Sequence, residues 1–192
     1  MEITKVFKEI FTGYNLSNTS VDDDHAENYK TLQKDSIQYA NIIEKRLVEK
    51  TFSSDIKEKY FMHPRDILIF VKKPYRVGTY PFNLRDLKIV IPSNFIILRD
   101  INMDYYSYIF VANYLEKIGI KELVEKEKIT GNLTITDIIK INLPDIPKKK
   151  QMSISELLQA INRRSATYNN ILANDEIIVH EAIKKVIGVN ND

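Results

Sequence analysis

The chain of 192 residues has no cysteine and no tryptophan. Without cysteine there is no disulfide, no thiolate-held zinc or iron–sulfur cluster and no thiol nucleophile. Glycine is scarce, five in all, and scattered, so a phosphate-cradling loop and a dinucleotide fingerprint are both missing. No serine sits in a nucleophile elbow. The three histidines, His25, His63 and His180, lie far apart without metal-ligand spacing. Charge of one sign is lacking too, since 28 Lys+Arg against 26 Asp+Glu leave a formal net charge of +2. That excludes a histone-like mode of nucleic-acid binding but leaves room for a local basic face. Apolar runs such as Ile67 to Val71 are short against the ~20 residues that a membrane span needs. The start, Met1 to Phe11, alternates charged and apolar residues and has no signal-peptide core. The expected location is the cytoplasm.

What is present is an ordinary globular composition, 44% hydrophobic and 28% charged, which predicts a folded chain. Domains cluster near ~100–150 residues, so one domain plus an extension is expected. Charge and proline are unevenly placed. Asp22, Asp23, Asp24 and Glu27 make a short acidic stretch. Between Met62 and Arg99, seven cations (Arg65, Lys72, Lys73, Arg76, Arg85, Lys88, Arg99) against two anions (Asp66, Asp86) leave +5, and four of the six prolines fall there. Proline breaks helices and confines strands to edges and ends, which predicts short strands joined by turns. β-Branched and aromatic runs place strands at Ile67–Val71, Lys88–Ile91 and Phe95–Leu98, with a further candidate at Tyr29–Gln33. Lys72 to Leu84, with two prolines and a glycine, is expected to be a single basic, aromatic loop.

Tyr105 to Lys117 has near-helical spacing, with Gly119 as its expected stop. Asp137 to Lys140 reads as one helical turn, and Pro147 with Lys148-Lys149-Lys150 as a polar linker. Ser153-Ile154-Ser155-Glu156 fits a capping box. Beyond it, Ile154, Leu158, Ile161, Ser165, Tyr168, Leu172, Asp175, Val179, Ala182 and Val186 recur at alternating spacings of four and three. That heptad run predicts a coiled-coil seam on a rod of about 50 Å. The chain offers no second comparable helix to cover the stripe. Pairing with a partner chain or a second copy, through Ile154, Leu158, Ile161, Tyr168, Leu172 and Val179, is the expectation. The alternatives are a break at Asn174-Asp175 or a helix folded back on its own domain.

Two groups of residues carry candidate chemistry. Asp66 and Asp86, followed by Lys88, offer the acids and cation with which some nucleases hold Mg²⁺, although Asp66 also stands where a polar turn residue is expected. The other group is the basic loop, in which Lys72, Lys73, Tyr75, Arg76, Tyr80 and Arg85 interleave cations with aromatics. Cations suit phosphates, arginine forks suit base edges, and rings pack on sugars or bases. The other reading is that Tyr75 and Tyr80 are partly core and the lysines solvate a strand end. On the residues alone both stand.

In order and spacing these segments resemble one half of a type I restriction–modification specificity subunit, and the resemblance covers nearly the whole chain. Val6 to Tyr14 is similar to the family's opening helix and its Gly-Tyr turn, here Gly13-Tyr14. Tyr29 to Ile37 resembles its first strand. His63-Pro64-Arg65-Asp66-Ile67-Leu68 resembles the "GDIL" strand start, with Arg65 where glycine is common, and Arg76-Val77-Gly78 the glycine turn after it. Val90 to Arg99 resembles the next strand, and Ile109 to Leu115 the helix that follows. Gly131 to Thr136 and Ile139 to Pro144 resemble the segment leading to "IPLP" and the coiled-coil helix.

The resemblance implies an α+β fold. A target recognition domain with a small mixed β-sheet and flanking helices would take residues 1–150. A long C-terminal coiled-coil-type helix, residues 151–192, would serve as spacer and dimerisation element. It also implies a non-catalytic DNA-binding subunit without cofactor or metal. Such a subunit directs a methyltransferase subunit, and a restriction/translocase subunit, to a bipartite target in double-stranded DNA. Full-length members carry two such halves, so this chain is expected to form a homodimer or to pair with another half. Its DNA contacts would be Lys72, Lys73, Tyr75, Arg76, Tyr80 and Arg85, with Tyr14 from the Gly-Tyr turn. Two other classes stay open: a truncated homologue acting as a protein-interaction module, and a Mg²⁺-dependent nuclease.

Overall fold

A computed structural model describes residues 1–15, 26–53, 56–80 and 87–187. Asp22 to Asp24, His25, Arg85 and Asp86 lie outside the described residues. The chain divides into two compact units, Met1–Ser155 and Glu156–Asp192.

The first unit is centred on two antiparallel strands, β6 (Ile67–Phe70) and β9 (Phe95–Ile101), with Ile67 opposite Leu98 and Phe70 opposite Phe95. Successive strand residues point to opposite faces. Ile67, Ile69, Ile96 and Leu98 therefore meet Phe110, Val111 and Leu115 on one side. Leu68, Phe70, Phe95 and Ile97 meet Leu32, Ile89 and Ile91 on the other. Both faces are covered, which is why these strands read as unbroken apolar runs. Adding β1 (Phe7–Thr12), β3 (Ile37–Gln38), β4 (Asn41–Ile42) and β7 (Arg76–Thr79) gives a six-stranded mixed sheet in the order β1-β9-β6-β7-β4-β3. A second sheet joins β2 (Ala26–Thr31), β5 (Val48–Ser53) and β8 (Ile89–Val90) in the order β5-β2-β8.

Ahead of the last helix, three local expectations change. The opening segment is a strand, not a helix: β1 pairs with β9 from Phe7↔Ile101 to Thr12↔Ile96. At its end Gly13 packs so closely that a Cβ would lie 2.3 Å from the carbonyl oxygens of Ile91 and Pro92. The basic loop is also not one loop, because Arg76–Thr79 forms β7 along β6. Finally, Gly119 does not end its helix. α1 (Tyr108–Tyr114) runs through a π-helical turn, Leu115–Gly119, into α2 (Ile120–Glu127), which stops at left-handed Lys128, φ 52°. Gly119 makes room for a ring instead, since a Cβ there would sit 2.9 Å from Tyr114 Cε1. A short helix α3 (Ile135–Ile138) follows, capped by Thr134 and Asp137.

Another left-handed residue lies at the start of β6. The N–H of Asp66 donates to the carbonyl of His63 at 3.1 Å, and Arg65 has φ 72°. With Pro64 before it, this is a type II turn, whose third position favours glycine. Any other L residue there costs roughly 1–2 kcal/mol.

The long helix α4 (Lys148–Ile187) has 40 residues, about 60 Å, with no break at Asn174-Asp175. It begins five residues before the expected capping box. The Pro147 carbonyl accepts from the N–H groups of Lys150 and Gln151, so the lysine run is helix rather than linker. Ser153 and Ser155 donate back to the carbonyls of Lys149 and Gln151, as residues inside a helix do. Gln151, 1% exposed, fixes this first part. Its Nε2 donates to the carbonyls of Tyr105 and Ile146, and its Oε1 accepts from the Ser107 N–H. Among the described residues no helix is long and apolar enough to cross a membrane.

Candidate nucleic-acid interface

The four residues of β7 divide the basic segment into two ends separated by about 13 Å at ~3.3 Å per residue. At one end Lys72, Lys73 and Pro74 turn the chain from β6 into β7. Both lysines are exposed, and neither side chain has a partner among the described residues. Tyr75 is half-buried against the helix-side core and its hydroxyl donates to the Gly131 carbonyl at 2.6 Å. Burial, then the nearby Asp137 charge, pushes its pKa up.

Arg76 is 46% exposed, with Nη1 3.6 Å from Glu116 Oε1. Glu116 also accepts from the Val77 N–H at 2.6 Å, and burial pushes its carboxyl above the ordinary value despite that bond and Arg76. At the other end of β7, Tyr80 is 5% exposed and belongs to the core on the second-sheet side. Its ring is committed to packing and is not available for stacking on DNA. Arg85 is outside the described residues. Tyr14 packs edge-on against Phe52 and Tyr60 at centroid distances of 6.3 and 5.4 Å, and its N–H donates to the Ile91 carbonyl. The structure thus brings Lys72, Lys73, Tyr75 and Arg76 together, and sets Tyr14 and Tyr80 apart as packing residues.

Asp66, one of the two candidate nuclease acids, is 1% exposed and fully engaged. Oδ1 accepts from Arg99 Nε at 2.9 Å, and Oδ2 accepts from Arg99 Nη2 at 2.6 Å and from the His63 N–H at 2.8 Å. Burial pushes its carboxyl up while these donors pull it down, and burial is the larger effect. Arg99 also donates to the carbonyls of Lys59 and Phe61, and its guanidinium lies 5.2 Å over the Phe11 ring. This carboxylate neutralises an arginine and joins two strands. The pair was missed in the sequence although both partners lie in the motifs quoted above. The signal was an acid just before one strand and an arginine inside its antiparallel neighbour, which becomes a pair only once Ile67 is known to face Leu98.

In α4 the residues of the expected seam, Ile154, Ile161, Tyr168, Leu172 and Val179, are all exposed, and Leu158 is half-buried. A second exposed row, Leu157, Ile171 and Ile178, widens the stripe beyond the expected heptad positions.

No protein-family profile matches the chain, and no curated protein matches it. Its fold, however, is that of type I specificity subunits. The HsdS subunit from Thermoanaerobacter tengcongensis superposes with a TM-score of 0.59 and 15% identity, covering 100% of this chain and 50% of that one. A chain from a structure of the type I R-M system, determined to explain complex assembly and conformational transition, gives 0.61 and 17%, covering 98% and 44%. The chain spans half or less of the length of these structures.

Proposed function

We propose that this chain is the specificity half of a type I restriction–modification system with a single recognition domain. It acts in the cytoplasm without catalysis of its own. It binds double-stranded DNA by sequence and brings a methyltransferase subunit, and through it a restriction/translocase subunit, to a bipartite target. The observation that carries this reading is the likeness of the whole chain to half of a specificity-subunit structure. In this reading residues 1–150 read DNA. Residues 151–192 pair with a second copy, which supplies the missing half and covers the exposed apolar stripe of α4. Lys72 and Lys73 contact phosphates, Arg76 and Arg85 add charge or base contacts, and Tyr75 anchors the Lys72–Arg76 end through its bond to the Gly131 carbonyl.

One observation favours a second reading, a protein-interaction module that has lost DNA recognition: Tyr75, Arg76, Tyr80 and Tyr14 are each engaged within the fold. Selection of duplexes from a randomised library by the full chain separates the two. Enrichment of a two-part sequence is expected. Lys72→Ala with Lys73→Ala should reduce the slope of log affinity against log salt by about 1.8, the share of two phosphates. Capture of a methyltransferase with no retention of DNA at low salt would instead establish the module.

A further inference from the structure

The expected seam of α4 is interrupted by two polar residues, Ser165 and Asp175, at positions where the spacing calls for apolar ones. The helix itself makes no use of either. Ser153, Ser155 and Thr167 each donate back to the carbonyl four residues earlier. Ser165 and Asp175 have no hydrogen bond or ion pair among the described residues. A carboxylate in an apolar stripe costs free energy once the stripe is covered, unless the cover supplies a partner. The placing of the two residues shows which cover does. Position 170 lies midway between Ser165 and Asp175, midway between Tyr168 and Leu172, and midway between Ile161 and Val179. The same correspondence continues outward to Ile154 and Val186 at the ends of the run. In polarity the expected seam is therefore symmetric about position 170. A second copy laid antiparallel, with the two-fold axis there, faces apolar with apolar along the seam and sets Ser165 against Asp175 of the other copy. The hydroxyl can then donate to the carboxylate, twice by symmetry. Arg164, one residue before Ser165, stands beside the same carboxylate, and its guanidinium already lies along the stripe, 5.5 Å over the Tyr168 ring. Other arrangements leave the charge unanswered. A parallel pair in register sets Asp175 against Asp175 and Arg164 level with Arg164, and like charges repel. Sliding the antiparallel pair by one heptad sets Asp175 against Leu172 or Leu158 and shortens the overlap.

We propose that Ser165, Asp175 and Arg164 form a polar lock that fixes α4 against a second copy of this chain, antiparallel and centred at position 170. The proposal rests on the reading above that α4 pairs with a second copy, and it adds the register and the residues that select self. A polar residue at a seam position sets register and partner at some cost in stability, which is the trade that Asp175 makes.

The chain has no cysteine, so a single spin label can be placed in the full chain through Glu156→Cys or Lys184→Cys. Both positions lie on the side of α4 away from the stripe and are equally far from position 170. The distance between the labels of a pair is measured by double electron–electron resonance, with light scattering to confirm the mass. Both variants should give the same distance, roughly 45–50 Å, most of it the axial run of about 28 residues at ~1.5 Å each. Ser165→Leu with Asp175→Leu should still pair but lose the single register, so that each distance splits into several. Asp175→Asn keeps an acceptor for the Ser165 hydroxyl and should keep the two equal distances. A short distance at both labels, about 25 Å, would show a parallel pair. One distance longer and the other shorter by about 10 Å would show a pair slid by a heptad. Either result would overturn the lock while pairing with a second copy stands. Unchanged, single distances in the double leucine variant would show that the polar residues do not set the register, and would overturn it as well. A monomer at every concentration would overturn the pairing reading and the lock together.

Discussion

The guanidinium of Arg99 serves four acceptors: both oxygens of Asp66 and the carbonyls of Lys59 and Phe61. A buried pair of this kind contributes little net stability, but removing one partner strands the other charge. Arg99→Met should therefore cost about 3–5 kcal/mol, read as a fall in the urea midpoint. Arg99→Met with Asp66→Leu should recover much of that loss. Glu116 gives a pH effect. Burial raises its folded pKa above the ordinary 4.5, so the folded state holds the proton more tightly than the unfolded one. Its contribution is full below pH 4.5 and is lost as pH rises through the folded value. Glu116→Gln keeps an acceptor for the Val77 N–H and removes the titration. Melts of the variant should lose less stability than wild type on going from pH 4 upward, and parallel curves would refute the assignment.

At the scale of elements, legibility followed local chemistry. β6, β8 and β9 were visible because they are buried β-branched runs. β7 was hidden because Gly78 and the flanking prolines read as turn, while the residue that exploits the glycine is distant: a Cβ there would meet Ile37 Cγ1 at 3.0 Å. The start of α4 was hidden because three lysines look like linker, and only Gln151 and its partners around Tyr105 and Ser107 show otherwise. The candidate site suffered from the same gap. Its residue types were readable, but the strand dividing Lys72-Lys73 from Tyr80 was not, so one expected patch became two ends of a sheet. The helix that carries the heptad pattern is the converse case, since heptad spacing is a local property of one helix. If α4 pairs with a second copy, Ile161→Glu with Leu172→Glu should halve the mass seen by light scattering while leaving far-UV helicity in place at high concentration. An unchanged mass would mean that these positions do not hold the copies together.

At the scale of the molecule, the chain carries one α+β unit and one 40-residue helix, and it overlays half or less of the two structures compared above. The order of motifs made this readable, because it preserves the sequence of strands, turns and helices even at 15–17% identity. Partner identity and target have no such trace in the chain. The unbroken course of α4 carries a further consequence. A straight helix advances ~1.5 Å and turns ~100° with each residue. A single residue inserted after Ser165 would swing Tyr168, Leu172 and Val179 about 100° away from the face that carries Leu158 and Ile161. Inserting seven would restore their direction to within about 20° and add about 10 Å of length. The helix therefore works like a screw thread. If α4 pairs with a second copy, changes in its length that keep the pairing come mainly in steps of a heptad, so any spacing it sets would change in jumps rather than continuously.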